Sequence, residues 1–360
     1  MSANLEIDDN VFVDDSNIGT DNKNYSMVFL KLVKNDSVTD INWNGSELWV
    51  DDIKKGRNII LYNDGTPFAL SDAFIKKFTS VISDMMNVSF NQWSPCLEAE
   101  TDSLRISVLH DSVTNTGISI SIRKTPAVRR LNTDMMIDSA YCLKEFNNFM
   151  VNAVHAGCNI VVCGLPGVGK TEYVKALTAY IPKEERAITI EDNLEIRYKH
   201  INPGKDCVEI KVSPEFSYVD AIKACLRQLP KWIILSEARS TEVESLLESM
   251  STGTHCLTTI HTDDVRKVPD RIMNMSEKVN ENHIYSYIDI AIQISKNSAT
   301  GFWGVSQAAF LSRWNGQNRL EVFYEQDGFV KGSVPEDISI KFKTSNITNP
   351  FAETVEDTKK

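Results

Sequence analysis

The feature that most constrains the fold is a glycine-rich segment near the middle of the chain. Residues 164–171 have the sequence Gly-Leu-Pro-Gly-Val-Gly-Lys-Thr, which fits the pattern G-x-x-x-x-G-K-[ST] at every fixed position. A short apolar run, residues 159–163, precedes this segment, and a helical pattern follows from about residue 170. A strand, a glycine-rich turn and a helix in this order predict a phosphate-binding loop on an α/β sheet.

The residue types of this loop predict how it binds a nucleotide. Glycines let backbone N–H groups turn toward the phosphates, and the start of the following helix adds the positive end of its dipole. Lys170 is expected to reach the β- and γ-phosphates, and the Thr171 hydroxyl to hold Mg²⁺. The nucleotide-binding residues predicted here are Gly164, Gly167, Val168, Gly169, Lys170, Thr171 and Glu172.

Three further segments carry polar residues that suit this chemistry. Residues 232–239 are an apolar strand that ends at Glu237, a carboxylate expected beside Mg²⁺. Residues 187–195 are a strand that ends in adjacent acids, which could orient a water or, equally, suit a helix N-terminus. Residues 252–262 carry His255 and His261 along one strand. These histidines suggest a γ-phosphate sensor, because no third and fourth metal ligand follow at the usual spacing.

The pattern of the chain changes along its length and predicts two domains. Residues 1–25 are polar and acidic and predict a mobile tail, with an acidic docking peptide as the alternative. Residues 26–124 combine short strand-like runs, the first at 25–30, with an amphipathic helix at 71–86. Residues 125–138, with a proline and two arginines, predict a linker. Residues 139–345 alternate strands and helices, and 346–360 are expected to be a C-terminal tail.

Composition excludes several classes of protein. The chain of 360 residues has 38 basic and 49 acidic residues, a formal charge of −11, which argues against a general nucleic-acid binder. Its seven cysteines are odd in number and show no CxxC spacing, which favours reduced thiols in a cytosolic protein. No apolar run reaches the roughly 18 residues of a membrane span, and the N-terminus lacks a signal-peptide pattern. A soluble cytosolic protein is therefore expected.

Taken together and in this order, the four segments resemble the hexameric ATPases of type II and type IV secretion, which drive conjugation, tight adherence and pili. The family pattern is a P-loop, an acidic box, a glutamate-x-arginine end to Walker B, and a histidine box. These correspond here to residues 164–171, 191–195, 237–239 and 252–261. The resemblance covers about residues 100–295 and, more weakly, the domain before them. It departs from the family at Ser236 (usually glycine), Lys231 (usually aspartate) and Thr254 (usually the box histidine).

The resemblance implies an α/β fold, a RecA-like P-loop NTPase domain with a mostly parallel sheet preceded by a smaller α+β N-terminal domain. It implies hydrolysis of ATP with Mg²⁺, in which Glu191 polarises the attacking water and Thr171 and Glu237 manage the metal. Arg239 and His261 would sense the γ-phosphate. Arg105 and Arg123, just before the linker, correspond to the arginine fingers of the family.

The resemblance also implies how such a chain works. It predicts a homo-hexamer, cytoplasmic and peripheral at the inner face of the inner membrane, that acts on secretion or pilus platform proteins and has no direct nucleic-acid partner. Motion of the N-terminal domain about a hinge at residues 125–134 would do the work. Two other functions stay open. Ser236 and Thr254 favour a nucleotide-binding regulatory subunit that has lost hydrolysis, whereas a DNA translocase is disfavoured by the acidic charge.

Overall fold

The computed structural model describes residues 20–353, except 54, 63, 298, 327, 331 and 332. The chain divides after Ala127 into two units, each with its own hydrophobic core. Among the helices of the described residues, none combines the length and the apolar character that crossing a bilayer requires.

In the described part of the first unit, six strands form one antiparallel sheet. Along it, apolar side chains alternate with polar ones, so that one face is buried and the other is polar. Two helices cover the buried face through stacked aromatic rings, among them Phe29, Phe74 and Phe78. The strands lie in the order β3-β2-β1-β6-β5-β4. The elements are α1 (Thr20–Lys34), β1 (Val38–Trp43), β2 (Leu48–Asp52), β3 (Gly56–Ile59), α2 (Asp72–Met86), β4 (Cys96–Glu100), β5 (Leu104–Leu109) and β6 (Ser119–Lys124).

Helix α1 differs from the sequence prediction. A tail through residue 25 and a strand at 25–30 were expected, but residues 20–34 are helical. Tyr25, Phe29 and Leu32 recur at helical spacing and pack on the core of this unit, and Phe29 is buried against Phe74. Helical periodicity therefore outweighed the β-propensity of the run. The predicted tail at residues 1–19 lies outside the described residues.

The second unit is built on a mixed sheet. In its described part nine strands lie in the order β15-β14-β13-β12-β7-β11-β10-β8-β9, parallel from β12 to β9 and antiparallel from β12 to β15. The strands are β7 (Ile160–Cys163), β8 (Ala187–Glu191), β9 (Cys207–Lys211), β10 (Trp232–Leu235), β11 (His255–Ile260), β12 (Ile290–Asn297), β13 (Phe302–Trp314), β14 (Gln317–Glu325) and β15 (Gly328–Phe329).

Helices cover both faces of this sheet, as near-continuous apolar strands require. One core includes residues of α4, α5 and α11, and the other includes residues of α7 to α10. The helices are α3 (Thr133–Asp138), α4 (Lys144–His155), α5 (Lys170–Leu177), α6 (Tyr198–Ile201), α7 (Tyr218–Cys225), α8 (Glu242–Ser251), α9 (Val268–Met273), α10 (Glu281–Tyr287) and α11 (Glu336–Thr344).

Two boundaries differ from the expected domain limits. The second half of the predicted linker forms α3, whose Met136 is fully buried because it packs on the core of the second unit. The described part of the predicted C-terminal tail, residues 346–353, includes residues that pack against α4. Asn152 of α4 donates its amide to the carbonyls of Pro350 and Ala352, both at 2.9 Å, and Phe351 stacks on Phe149. Residues 354–360 lie outside the described residues.

Arg129, at the start of the second unit, is tied to the far end of α5. Its guanidinium donates to the Lys175 and Ile201 carbonyls at 3.2 and 2.9 Å and to Asn202 Oδ1 at 2.6 Å. A cation at a helix C-terminus also suits the dipole. The helix that begins at the phosphate loop is therefore held at its other end by a residue of the linker.

We expect Arg129→Ala to lower the free energy of unfolding by about 1–3 kcal/mol, because three acceptors lose their donor. Urea unfolding of the full chain measures this change. Arg130→Ala is the matched control and should change the stability by less than about 0.5 kcal/mol, since no hydrogen bond or ion pair of the Arg130 side chain is found among the described residues. Equal effects of the two variants would show that the hydrogen bonds of Arg129 contribute nothing to the stability of the protein.

Candidate functional site

The glycine-rich segment forms a loop between β7 and α5, and Ile294 and Trp303 lie close to its backbone. Gly164 has φ 151° and Gly169 has φ 92°, conformations that L side chains rarely adopt. A Cβ on Gly164 would lie 2.5 Å from the Ile294 carbonyl oxygen, and one on Gly169 would lie 3.2 Å from the ring of Trp303. Both glycines are therefore required by backbone conformation and by space.

Lys170, the first residue of α5, turns back into this loop. Its ammonium donates to the carbonyls of Gly164 and Leu165 at 3.0 and 3.1 Å and to His261 Nδ1 at 3.0 Å. Burial lowers the pKa of this lysine, while the charge of Glu237 opposes that shift. The loop thus holds a buried cation where the sequence predicts contact with phosphate oxygens.

His261 joins the lysine to Glu237. The histidine follows β11 and Glu237 follows β10, and these neighbouring parallel strands bring both residues to one edge of the sheet. His261 Nε2 lies 2.8 Å from Glu237 Oε1. Because an ammonium can only donate, His261 Nδ1 must accept from Lys170, which assigns the proton to Nε2 and makes it the donor to Glu237.

The second carboxylate oxygen of Glu237 continues the chain of contacts. Arg239 donates to Glu237 Oε2 at 2.8 Å and to Asp192 Oδ2 at 2.9 Å. Hydrogen bonding to Glu237 raises the pKa of the guanidinium further. Burial alone would raise the pKa of Asp192, but the charge of Arg239 and its hydrogen bond outweigh that effect and lower the pKa. An unbroken series of contacts, which we call the relay, therefore runs through Lys170, His261, Glu237, Arg239 and Asp192.

Glu191 lies at the end of β8 but outside the relay. Its carboxylate is fully buried, and Oε1 accepts from the backbone N–H groups of Glu195 and Ile196 at 3.2 and 3.0 Å. Oε2 has no hydrogen-bond partner in the described structure. Burial raises the pKa of Glu191 to about 8, against the opposing effect of the two N–H groups. Such a carboxyl can hold or release a proton near neutral pH.

The raised pKa of Glu191 predicts a pH dependence of stability. Between about pH 4.5 and pH 8 the native protein holds a proton that the unfolded chain has released, so this group makes stability fall as pH rises. Glu191→Gln should remove that loss. We expect the variant to gain a few kcal/mol relative to wild type between about pH 5 and pH 8, measured by urea unfolding. A difference that stays constant over this range would contradict the assignment, and Glu248→Gln on α8 serves as the control.

The remaining loop residues lie around the start of α5. Thr171 and Glu172 are partly exposed in its first turn, and Val168 is buried. Glu172 Oε1 pairs with Lys175 Nζ at 3.2 Å, whereas Glu172 Oε2 is buried without a hydrogen-bond partner among the described residues. Thr171 and Glu237 offer the hard oxygen donors that Mg²⁺ prefers, so their chemistry fits the predicted metal.

The two histidines of the predicted histidine box are separated. His255 begins β11 and His261 follows its end, so about 20 Å of strand lies between them. His255 packs under Gly157 and against Trp232. Burial, with further effects from Lys231 and Lys341, lowers the pKa of His255 to about 4, which leaves it neutral. His255 is therefore a packing residue, and His261 is the histidine that joins the relay.

Arg105 and Arg123 lie in the first unit, where they face each other on β5 and β6. Arg123 pairs with Asp40 at 2.8 Å and is half exposed. The strand registers extend this pair into a row of charged residues across the polar face of the sheet. In spatial order the row is Glu100, Arg105, Arg123, Asp40, Asp51 and Arg57.

Two residues that contact the site, Tyr218 and Trp303, carry no signal in the sequence analysis. Tyr218 accepts a hydrogen bond from the Asp192 N–H at 2.9 Å and lies 3.5 Å from the Ser236 hydroxyl. Trp303 donates to the Val168 carbonyl. A tyrosine at the start of a helix and a tryptophan in a strand carry no motif. These contacts follow from the order of the strands, which the sequence pattern does not give.

The strand–loop–helix and the parallel sheet around it define a P-loop protein of the RecA type. The sequence profile of the type II/IV secretion system protein family matches residues 96–298, more than half of the chain. The chain therefore belongs to the type II/IV secretion system protein family. The predicted family and the predicted fold class are therefore confirmed.

Similar proteins agree with this membership. An uncharacterized protein of Bacillus anthracis is 28% identical over 279 residues, 75% of this chain and 62% of the relative. The type IV secretion system protein PtlH of Bordetella pertussis is 29% identical over 142 residues, 38% of this chain and 41% of the relative. The chain thus spans less than two thirds of either relative. The solved structure of the ATPase DotB of Legionella pneumophila has a TM-score of 0.57 at 16% identity, covering 93% of this chain and 90% of that one, and shows the shared fold.

Proposed function

We propose that this chain is a motor that hydrolyses Mg-ATP to power assembly or transport in a type IV, type II or tight-adherence secretion or conjugation apparatus. The observation that carries the proposal is the relay, which links the lysine of the phosphate loop through His261 to Glu237 and Arg239. Such a series connects the site of phosphate contact to charged groups on two neighbouring strands. A change at the phosphate can therefore be passed to other parts of the protein.

The proposed roles follow from the contacts. Lys170 exchanges its loop carbonyls for phosphate oxygens, and the amides at the start of α5 bind the same group. Thr171 and Glu237 would hold Mg²⁺, which, when bound, neutralises part of the phosphate charge. His261 and Arg239 respond to the γ-phosphate, because movement of Lys170 breaks the hydrogen bond on which the orientation of His261 depends.

Glu191 is proposed to polarise the attacking water. Because its pKa is about 8, Glu191 can accept a proton from water only in its ionised form, and Oε2, which has no hydrogen-bond partner among the described residues, is the oxygen that would accept it. The carboxylate is fully buried, so water must enter through a movement of residues 192–196, whose backbone it holds. Asp192 within this segment is paired with Arg239, which offers a route from the relay to the segment.

The mechanical part of the proposal concerns the linker. Arg123 and Arg105 would complete the site as arginine fingers when the N-terminal domain moves. We place the hinge at residues 125–128, within the wider range of 125–134 predicted from the sequence. Arg129 is tied to the end of α5, and α3 begins at Thr133, so the later part of that range is already held.

Assembly and location are proposed from the family. We infer a homo-hexamer that is peripheral at the cytoplasmic face of the inner membrane and acts on platform proteins of a secretion or pilus apparatus. Family membership supports this inference, and one relative is named a type IV secretion system protein.

A second candidate is a nucleotide-binding regulatory subunit. Two observations favour it. Lys170 is fully engaged by loop carbonyls and His261, and Glu191 is fully buried. A protein that kept this arrangement with nucleotide bound would bind ATP without hydrolysing it.

The experiment that tests the motor is Mg-ATP hydrolysis by the purified full chain over a wide range of protein concentrations. A ring motor predicts a specific activity that rises with concentration and then levels off, because assembly completes the site. Constant specific activity from the lowest concentration would contradict the ring. ATP binding without hydrolysis at any concentration would favour the regulatory subunit.

A further inference from the structure

The hairpin of β12 and β13 lies directly against the phosphate loop. Strand β12 pairs with β7 as far as Gln293 and Cys163 and then continues for four residues alongside the loop. The pairing shifts there, since Gln293 faces Gln307 whereas Ile294 faces Val305, leaving Ser306 as an extra residue on β13. A bulge of this kind increases the local twist. The hairpin contacts the loop at its first glycine and again near the start of α5.

The second of these contacts is made by Trp303. Its indole Nε1–H donates to the Val168 carbonyl at 2.7 Å, and its ring would lie 3.2 Å from a Cβ placed on Gly169. The indole is itself fixed, because it meets the ring of Tyr141 edge to face at 5.3 Å. Next to it, Val305 N–H donates to the Tyr141 carbonyl at 2.8 Å. Trp303 is thus a rigid donor aimed at one peptide group of the phosphate loop.

That peptide group carries one of the N–H groups expected to bind phosphate. The Val168 carbonyl and the Gly169 N–H belong to the same planar trans peptide and point in opposite directions. A hydrogen bond that holds the carbonyl toward the indole therefore turns the Gly169 N–H away from the hairpin. Because Gly169 has φ 92° and no side chain, little else at this residue resists rotation of the peptide.

We propose that Trp303 is a positioning residue for the phosphate loop: its N–H holds the Val168–Gly169 peptide in the orientation that binds phosphate. This inference rests on the proposed function, since it concerns the affinity of the same site for nucleotide. A phenylalanine or tyrosine at this position would supply the ring but no donor in the same place. Removing the donor lets the peptide rotate, and part of the binding energy is then spent on restoring its orientation.

The test is the Kd of Mg-ATP and of Mg-ADP, measured by titration calorimetry on the full chain. We expect Trp303→Phe to weaken binding by about threefold to tenfold, the effect of losing one hydrogen bond. A second variant carries benzothienylalanine at position 303, in which sulfur replaces the indole N–H and the ring shape is kept. It should weaken binding by a similar factor while its thermal unfolding stays close to wild type.

Trp314→Phe is the matched control. This tryptophan lies at the opposite end of β13, roughly 35 Å along the strand, and is 44% exposed. Its replacement should leave the Kd within about a factor of two. The control separates a specific effect at the loop from a general effect of losing an indole from this strand.

Several results would overturn the inference. A normal Kd for the benzothienylalanine variant would show that the N–H does not matter, whether or not Trp303→Phe binds weakly. A lower unfolding temperature with an unchanged Kd would make Trp303 a packing residue only. Absence of nucleotide binding by the wild-type chain would overturn the proposed function itself, whereas wild-type binding that neither variant changes overturns only the role of Trp303.

Discussion

Glu237→Gln is expected to abolish turnover while ATP stays bound. The substitution keeps an acceptor for His261 Nε2 but removes the negative charge that pairs with Arg239 and would help to hold Mg²⁺. Lys170 and the loop amides, the groups proposed to bind the phosphates, are unchanged. We expect kcat to fall by at least about 100-fold with little change in the Kd of ATP.

This variant also separates the two candidate functions. A motor should accumulate bound, unhydrolysed ATP, measured by rapid filtration with labelled nucleotide. A regulatory subunit should behave like wild type, because it has no hydrolysis to lose. Glu248→Gln on the exposed side of α8 is the matched control and should hydrolyse ATP normally. Unchanged kcat in Glu237→Gln would remove the relay from the mechanism.

Loss of the arginines on the first unit is expected to have a comparable effect. Arg105 and Arg123 are adjacent cations on the polar face of the sheet. If they complete the site, Arg123→Ala should lower kcat by roughly 10³–10⁵-fold, the range expected for loss of a guanidinium that stabilises charge on a transferred phosphoryl group. The KM for ATP should change far less, since the phosphate loop lies on the other unit.

The charged row supplies the control for this prediction. Arg57 lies in the same row, pairs with Asp51 at 2.7 Å and is exposed, yet it has no assigned role. Arg57→Ala should therefore leave kcat unchanged, and an exposed ion pair contributes at most about 1 kcal/mol to stability. If Arg105→Ala, Arg123→Ala and the double variant all hydrolyse ATP within twofold of wild type, neither residue is an arginine finger.

The phosphate loop and the neighbouring parallel strands could be predicted because the information is local. Residues 164–171 form a continuous motif, and buried parallel strands appear as short apolar runs between helical patterns. Given a parallel sheet, the residues that follow β7, β10 and β11 share one edge. The meeting of Lys170, Glu237 and His261 was therefore implied before any distance was known.

What could not be predicted depends on contacts between distant segments. The 25–30 run has strand-forming residues but becomes helical because Phe29 packs against Phe74. Arg129 looks like a linker residue, and its anchoring to α5 depends on carbonyls 46 and 72 positions away. Trp303 meets the loop across 135 residues, through a bulged hairpin that the pattern after residue 300 did not indicate.

The measurement that tests the central claim most directly is the release of phosphate from ATP labelled at the γ-position by the purified full chain, by Lys170→Ala and by Lys183→Ala. Lys183 is an exposed lysine paired only weakly with Glu184 and serves as the matched control. The relay predicts that wild type and Lys183→Ala release phosphate at the same rate and that Lys170→Ala releases essentially none. Release by Lys170→Ala at the wild-type rate would contradict the account, because hydrolysis would then occur without the lysine from which the relay begins.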